Sequence, residues 1–240
     1  VGSIVATTAT AVVAFALVFS AAATAKGWKY QQGSVPTRLV HAVNGEDLGL
    51  ARELPVDISI GFRCVAQGVP FGTVAEGPLL SPGTHQVRIT LADSRKKRRG
   101  CRGTLVMADT INVNFGDDLS VVAHQTDDGG IRITKFNNDP RDAGLGIGRA
   151  TVRHTADAPA VDILVEGDRL ITDLTNANGA KLDVPEETYT VEIAPAGGDP
   201  LNPPGEIPLT VTAGENIIVY AIGSLRTGSF DLLVDVLPLQ

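Results

Sequence analysis

Short stretches of the chain after Lys26 carry apolar side chains at every second position. The clearest are His85–Thr90 and Thr188–Ile193. A period of two is that of a β-strand with one face in a core. The run Ile217–Ile222 is continuously apolar, which is typical of a strand in the middle of a sandwich. No stretch after Lys26 keeps a helical period over ten residues, so the pattern predicts an all-β protein.

Turn signals divide these strands into short pieces. Examples are Ser81-Pro82-Gly83 and Ala213-Gly214, and the chain contains 26 Gly and 14 Pro. Six or seven short strands in about 100 residues, separated by such turns, favour a two-sheet sandwich. The apolar runs are rich in Val, Ile and Thr, which fit a pleated, half-buried surface.

The order of segments in the first half recurs in the second. The matched segments are 39–43 with 151–155, 55–60 with 160–165, 82–89 with 186–193 and 111–123 with 209–221. His154 lies 113 residues after His41, whereas Leu209 lies 98 residues after Ile111. The copies therefore differ by insertions of the kind that surface loops accept.

The repeat predicts a first β-sandwich over residues 36–137, a linker over 138–148 and a second β-sandwich over 149–238. The linker contains the glycines of Gly144–Gly148, which lack the strand-to-helix context of a nucleotide-binding loop. We interpret them as a hinge.

One motif resembles a known family. The run from His154 to Gly167, His-Thr-Ala-Asp-Ala-Pro-Ala-Val-Asp-Ile-Leu-Val-Glu-Gly, is similar to the domain of unknown function 4397 family, whose members open with His-Ala-Ser-Pro-Asp-Ala-Pro-x-Val-Asp. His154, Asp157, Pro159 and Asp162 match this pattern, whereas the two residues after His154 differ from it.

The first half matches the family less closely, because the insertion from Asn44 to Glu53 separates His41 from Val56-Asp57. The resemblance implies two tandem immunoglobulin-like or transthyretin-like β-sandwiches in an exported or surface-attached prokaryotic protein. It implies no assigned activity, and it gives the motif residues a structural role.

The first 25 residues carry no charge. Their most apolar part is Ala11–Phe19, and Ala23-Thr24-Ala25 follows as a small-x-small cleavage site. This pattern predicts a signal peptide over residues 1–25, and therefore a secreted or cell-surface protein. Two alternatives remain: a retained hydrophobic helix that crosses a membrane, or a pilin-like helix that packs in a filament.

Both cysteines, Cys64 and Cys101, lie in the first half. An even pair in an oxidising compartment is normally bonded, so we expect a disulfide. Closing a loop of about 37 residues stabilises a fold by roughly 4 kcal/mol in the chain-entropy model. The alternative is two buried free thiols.

The net charge of −7 and the pI near 5.1 argue against nucleic acid as a partner. Six of the 20 basic residues nevertheless lie together, as Arg95, Lys96, Lys97, Arg98, Arg99 and Arg102. We identify this basic run as a candidate contact for an anionic envelope polymer or lipid head groups. The alternative is a solvated loop.

The polar residues do not form a known catalytic motif. The chain has neither Gly-x-Ser-x-Gly nor His-Glu-x-x-His. His41 and His154 occupy the same place in the two copies, which favours hydrogen-bonded structural histidines, and Asp162 is the expected partner of His154. We expect no catalytic residue, metal or cofactor.

Several aspartates occur in pairs without the spacing of a calcium loop. They are Asp117-Asp118, Asp127-Asp128, and Asp139 with Asp142. Aspartate beside Gly or Pro is ordinary in turns, so we interpret them as turn residues.

These observations favour an exported, non-enzymatic cell-envelope or extracellular protein that acts in binding, adhesion or surface assembly. Its candidate partners are an anionic envelope polymer or another surface protein. One alternative is a hydrolase of an envelope polymer, which needs two or more of His154, Asp157, Asp162 and their neighbours to converge in a cleft. The other is a filament subunit that keeps its N-terminal helix.

Overall fold

The computed structural model describes residues 33–92 and 100–240, together with the backbone of Val18–Phe19. The predicted signal peptide, apart from that pair, and the run Arg95–Arg99 lie outside the described residues. The membrane-helix and pilin-like alternatives fall there too. Across the described ranges, no helix is long and apolar enough to cross a membrane.

The described part of the chain consists of strands with one short 3-10 helix. The first pair, β1 (Val18–Phe19), precedes both halves. The first half contains β2 (Thr37–Ala42), the 3-10 helix (Glu46–Leu48), β3 (Val56–Ile60), β4 (Arg63–Val69), β5 (Thr73–Glu76), β6 (Gly83–Leu91), β7 (Leu105–Val113), β8 (Leu119–Gln125) and β9 (Ile131–Asn137).

The second half contains β10 (Ile147–His154), β11 (Val161–Val165), β12 (Asp168–Leu174), β13 (Gly179–Pro185), β14 (Glu187–Pro195), β15 (Ile207–Val211), β16 (Glu215–Ile222) and β17 (Asp231–Pro238).

Each half forms two sheets. In the first, the inner sheet has the order β5-β2-β8-β9 and the outer sheet β4-β3-β6-β7. In the second, the inner sheet is β13-β10-β16-β17, with β1 beside β17, and the outer sheet is β12-β11-β14-β15. The pairs β2–β8, β10–β16 and β1–β17 are parallel, and the other neighbours are antiparallel.

The two halves therefore have one strand order. In both, the first strand lies between the fourth and the seventh, and the second lies between the third and the fifth. The predicted all-β fold with two sandwiches is confirmed. An immunoglobulin domain pairs its first strand with its second, whereas here the first strand lies between the fourth and the seventh.

Alternation along the strands fills two separate cores. In β15, for example, Ile207, Leu209 and Val211 are buried and the residues between them are exposed. The first core draws on β2, β3, β6, β7 and β8, and the second on β11, β14, β15, β16 and β17.

A third apolar cluster lies where the inner sheets of the two sandwiches face each other. We call this contact the seam. It joins Val40, Ala42 and Val122 of the first half to Ile218, Tyr220, Ile222, Leu233 and Leu237 of the second. The seam explains why Ile217–Ile222 is continuously apolar: alternate side chains enter the second core and the seam.

Candidate functional site

His154 ends β10 with its side chain in the second core. Its Nε2 donates to the carbonyl oxygen of Pro159 at 2.8 Å, while Nδ1 has no partner. Burial lowers the pKa of His154, so the ring is neutral at pH 7. This contact closes the turn between β10 and β11.

Asp162 does not contact His154, so the expected hydrogen bond between them is wrong. Val161 and Ile163 point into the core, and alternation along β11 therefore turns the Asp162 carboxylate to the opposite face. That carboxylate accepts from the backbone N–H groups of Gly197 and Asp173, both at 2.9 Å. These two bonds and the Arg169 guanidinium, at 2.6 Å, hold the pKa of Asp162 below its usual value.

Asp157 forms hydrogen bonds with neither the partner of His154 nor those of Asp162. Its carboxylate accepts from the Ser224 hydroxyl at 2.8 Å and from the Arg226 guanidinium. Its backbone N–H donates to the carbonyl oxygen of Gly223, and its carbonyl oxygen accepts from the N–H of Leu225. These bonds attach the turn after β16 to the segment that begins with His154. His154, Asp157 and Asp162 thus serve three local contacts and do not converge as the acid–base pair that the hydrolase alternative requires.

The first half repeats two of these contacts. His41 pairs with Ala123 in the parallel ladder as His154 pairs with Ala221. Burial lowers the pKa of His41 to about 4, against a hydrogen bond with the Pro70 carbonyl that raises it. The carboxylate of Asp57, equivalent to Asp162, accepts from the N–H of Gly68 at 2.9 Å. Each aspartate thereby holds an irregular neighbouring strand.

The predicted disulfide is confirmed. Cys64 on β4 is bonded to Cys101, with a Cα–Cα distance of 5.3 Å. Cys101 Sγ lies 3.1 Å from the carbonyl oxygen of Ile58, and the N–H of Leu91 donates to Thr104 at 2.9 Å. The base of the loop that carries the basic run is therefore fixed to the outer sheet.

The insertion that distinguishes the first half joins the two sandwiches. The carboxylate of Asp47 accepts from the hydroxyl groups of Thr227 and Ser229, the latter at 2.7 Å. The insertion thus contacts the turn after β16 in the second half.

A buried arginine occupies the seam. Arg153 is 1% exposed and lies between the rings of Phe136 and Tyr220, at 4.8 and 5.2 Å from their centroids. Its guanidinium donates to Tyr220 Oη and to Asn138 Oδ1, both at 2.7 Å. These bonds connect β10 and β16 to the residue that follows β9.

The polar network extends into the first sandwich. Tyr220 donates to Ser120 Oγ at 2.9 Å, and Asn138 donates to Asp118 at 2.6 Å. Burial raises the pKa of Asp118, although the Asn138 hydrogen bond and nearby arginines lower it. At the same seam, Arg38 pairs with Asp235 at 3.1 Å.

Beside this network lies an open cleft of about 490 Å³. We call it the seam cleft. It is lined by Gly116, Phe136, Asn137, Asn138, Asp139, Pro140, Arg141, Thr151, Arg153, Gly179, Ala180 and Lys181. Arg141 and Lys181 both pair with Asp139. Sequence reasoning missed this site, because Arg153 meets Tyr220 only through the pairing of β10 with β16.

The remaining candidates are distributed over turns. The carboxylate of Asp117 accepts from Asn114 and Asn137, and that of Asp128 from Thr126 and Gly130. Within residues 33–92 and 100–240, no group of three or more His, Cys, Asp or Glu side chains is placed to hold a metal ion.

Comparison with known proteins gives a family and two distant structures. The model of the family described as Domain of unknown function (DUF4397) matches residues 36–164, more than half of the chain. It spans the first sandwich and the first two strands of the second. No curated protein matches the chain.

Two solved structures are among those similar to the chain. One is a "putative cell adhesion protein" from Bacteroides uniformis, at 11% identity and a TM-score of 0.26, with 87% of this chain and 98% of that one covered. The other, from Bacteroides ovatus and described in the same words, has 8% identity and a TM-score of 0.25, with 86% and 98% covered.

Proposed function

The chain belongs to the DUF4397 family, and on that premise we propose that it is an exported, non-enzymatic protein of the cell envelope or extracellular space. It acts there in binding, adhesion or surface assembly. The observation that carries the proposal is the Cys64–Cys101 disulfide, because disulfides persist in oxidising compartments. The uncharged, small-x-small N-terminal segment supports export independently.

The basic run is the proposed contact with an anionic envelope polymer. The run Arg95–Arg99 ends two residues before Cys101, so the disulfide ties its base to the outer sheet of the first sandwich. Arg102 is exposed next to it. The described residues on both sides of the run are held to the outer sheet by the Leu91–Thr104 hydrogen bond and the disulfide, and a cluster of cations attracts a polyanion.

Retention on isolated cell envelopes across salt concentration tests the proposal. We expect a Lys96/Lys97/Arg98/Arg99→Ser variant to be released at lower salt than the wild type, because each lost cation weakens a screened attraction. The matched control replaces four other cations: Arg52, Arg63, Arg88 and Arg132→Ser. Equal retention of wild type and the first variant at every salt concentration contradicts the polyanion contact, and no retention of either contradicts the binding function.

A further inference from the structure

Residues of both sandwiches line the seam cleft, and Arg153 is one of them. From this arrangement we propose that the seam cleft binds the carboxylate of an acidic sugar residue, with Arg153 at its base and Arg141 and Lys181 at its rim. The inference deepens the proposed binding function and rests on it.

The strand order does not require Arg153. In the second half it pairs with Tyr220 across the parallel ladder; in the first half the equivalent ladder pair is Val40 with Val122. Since two valines complete the same sheet at the same register, the sandwich forms without a buried cation there. Burying a guanidinium is unfavourable unless it is paired, so Arg153 requires a reason beyond the strand order.

The pairing of Arg153 within the chain is incomplete. Its hydrogen bonds go to Tyr220 Oη, Asn138 Oδ1 and, at 3.4 Å, the carbonyl oxygen of Asn137. All three acceptors are neutral, and they take three of the five N–H donors of a guanidinium; the Arg153 charge also acts on the nearby carboxyl groups of Asp118 and Asp235 without a direct hydrogen bond to either. A planar guanidinium with free donors matches the two oxygens of a carboxylate.

The charge of the cleft favours an anion. Arg141, Arg153 and Lys181 contribute three positive charges, and Asp139 contributes one negative charge, in a chain whose net charge is −7. Asp139 accepts from Arg141 at 2.6 Å and also pairs with Lys181, which holds both cations at the rim. Field focusing in a cleft raises the local concentration of oppositely charged ligands.

The volume selects the size of the ligand. About 490 Å³ falls within the range of small-molecule sites, which is far more than a bare ion fills. The lining combines cations with the amides of Asn137 and Asn138 and the hydroxyl of Thr151, groups suited to a hydroxylated ring.

Calorimetric titration at low ionic strength tests the site with three probes: D-glucuronate, the neutral sugar galactose, and inorganic phosphate. We expect glucuronate to bind and galactose to bind at least about tenfold more weakly, because the charge-assisted contact is missing. Galactose that binds equally well, or phosphate that binds where glucuronate does not, overturns the assignment of an acidic sugar.

Variants locate the binding in the cleft. Arg141→Ala/Lys181→Ala removes two exposed cations from the rim and is expected to weaken glucuronate binding roughly tenfold or more. The control Arg63→Ala/Lys135→Ala makes the same change of charge outside the cleft and is expected to leave the affinity unchanged. Equal loss in both variants overturns the site.

The variant Arg153→Met tests the base of the cleft, with circular dichroism to verify its fold. A folded Arg153→Met protein that binds glucuronate like the wild type overturns the role of Arg153. If glucuronate fails to bind wild-type protein that is still retained on envelopes, the cleft inference falls and the proposed function stands.

Discussion

The two sandwiches secure the strands of two equivalent aspartates, Asp57 and Asp162, in different ways. In the first, Asp57 accepts from the N–H of Gly68, and the disulfide holds Cys101 against the carbonyl oxygen of the neighbouring Ile58. In the second, the loop between β14 and β15 bonds Asp162 directly through the N–H of Gly197, and Arg169 joins both. A covalent bond in the first half and an ionic network in the second thus secure equivalent strands of the outer sheet.

The difference separates what the fold requires from what each copy adds. Both copies require a carboxylate that holds the irregular strand beside it and a histidine at the end of the first strand. The disulfide and the basic run belong to the first copy, and the buried Arg153 belongs to the second. We therefore look for function in the features that are not shared.

The largest expected effect is loss of the disulfide. A Cys64→Ala/Cys101→Ala variant should lose roughly 4 kcal/mol of unfolding free energy in the chain-entropy model, because the unfolded chain gains freedom. Denaturant unfolding followed by circular dichroism measures it. Reductant should destabilise the wild type and leave the variant unchanged; a variant as stable as the oxidised wild type contradicts the stabilising role.

Acid should act mainly on the first sandwich. Burial lowers the pKa of both His41 and His124 to about 4, whereas an unfolded histidine titrates near 6.5. Because the unfolded chain then binds more protons, unfolding free energy falls as pH drops from about 6.5 towards 4, by up to about 3 kcal/mol per histidine. Burial raises the pKa of Asp118 and Asp235, which opposes this trend.

A substitution assigns the acid effect. The position equivalent to His124 in the second half holds Ile222, so His124→Leu makes the halves more alike and should flatten the pH dependence between 4 and 6.5. His85→Leu, which replaces a partly exposed histidine, is the control. Identical pH profiles for wild type and His124→Leu would refute the assignment.

Removing Arg153 should have a smaller effect. Arg153→Met loses the hydrogen bonds to Tyr220 and Asn138, and we expect a loss of roughly 2 kcal/mol in unfolding free energy. Arg153→Lys keeps the positive charge but loses the planar guanidinium, so its unfolding free energy should lie between those of the wild type and Arg153→Met. A gain in stability with Arg153→Met would show that the network does not stabilise the seam.

The smallest effect is expected at Arg169. Its side chain is one-third exposed, and Asp162 keeps both backbone donors without it. Arg169→Met should therefore destabilise the second sandwich less than loss of the disulfide destabilises the first. Comparing the two melting temperatures tests this; a larger drop for Arg169→Met reverses the comparison.

Much of the fold could be predicted because it follows from the local alternation of apolar and polar residues. Alternation located strands such as β6 and β14, and the matched segments located the repeat. The position of Asp162 could also have been found, since the apolar residues on either side of it place its side chain away from the core.

The seam could not be predicted in the same way. Arg153 meets Tyr220 because β10 and β16 pair in parallel, 67 residues apart, and Asn138 reaches them from the other sandwich. Such a register depends on how whole sheets pack, which a single strand's pattern does not encode. The hydrogen bond between Asp47 and Ser229, 182 residues apart, could not be predicted for the same reason.

The shared strand order is the claim on which the comparison of the halves depends, and backbone NMR tests it most directly. The account predicts parallel-ladder contacts between amide and α protons around His41 and Ala123, and the same pattern around His154 and Ala221. An antiparallel pattern at either position, or different neighbours for the first strand in the two halves, would contradict it.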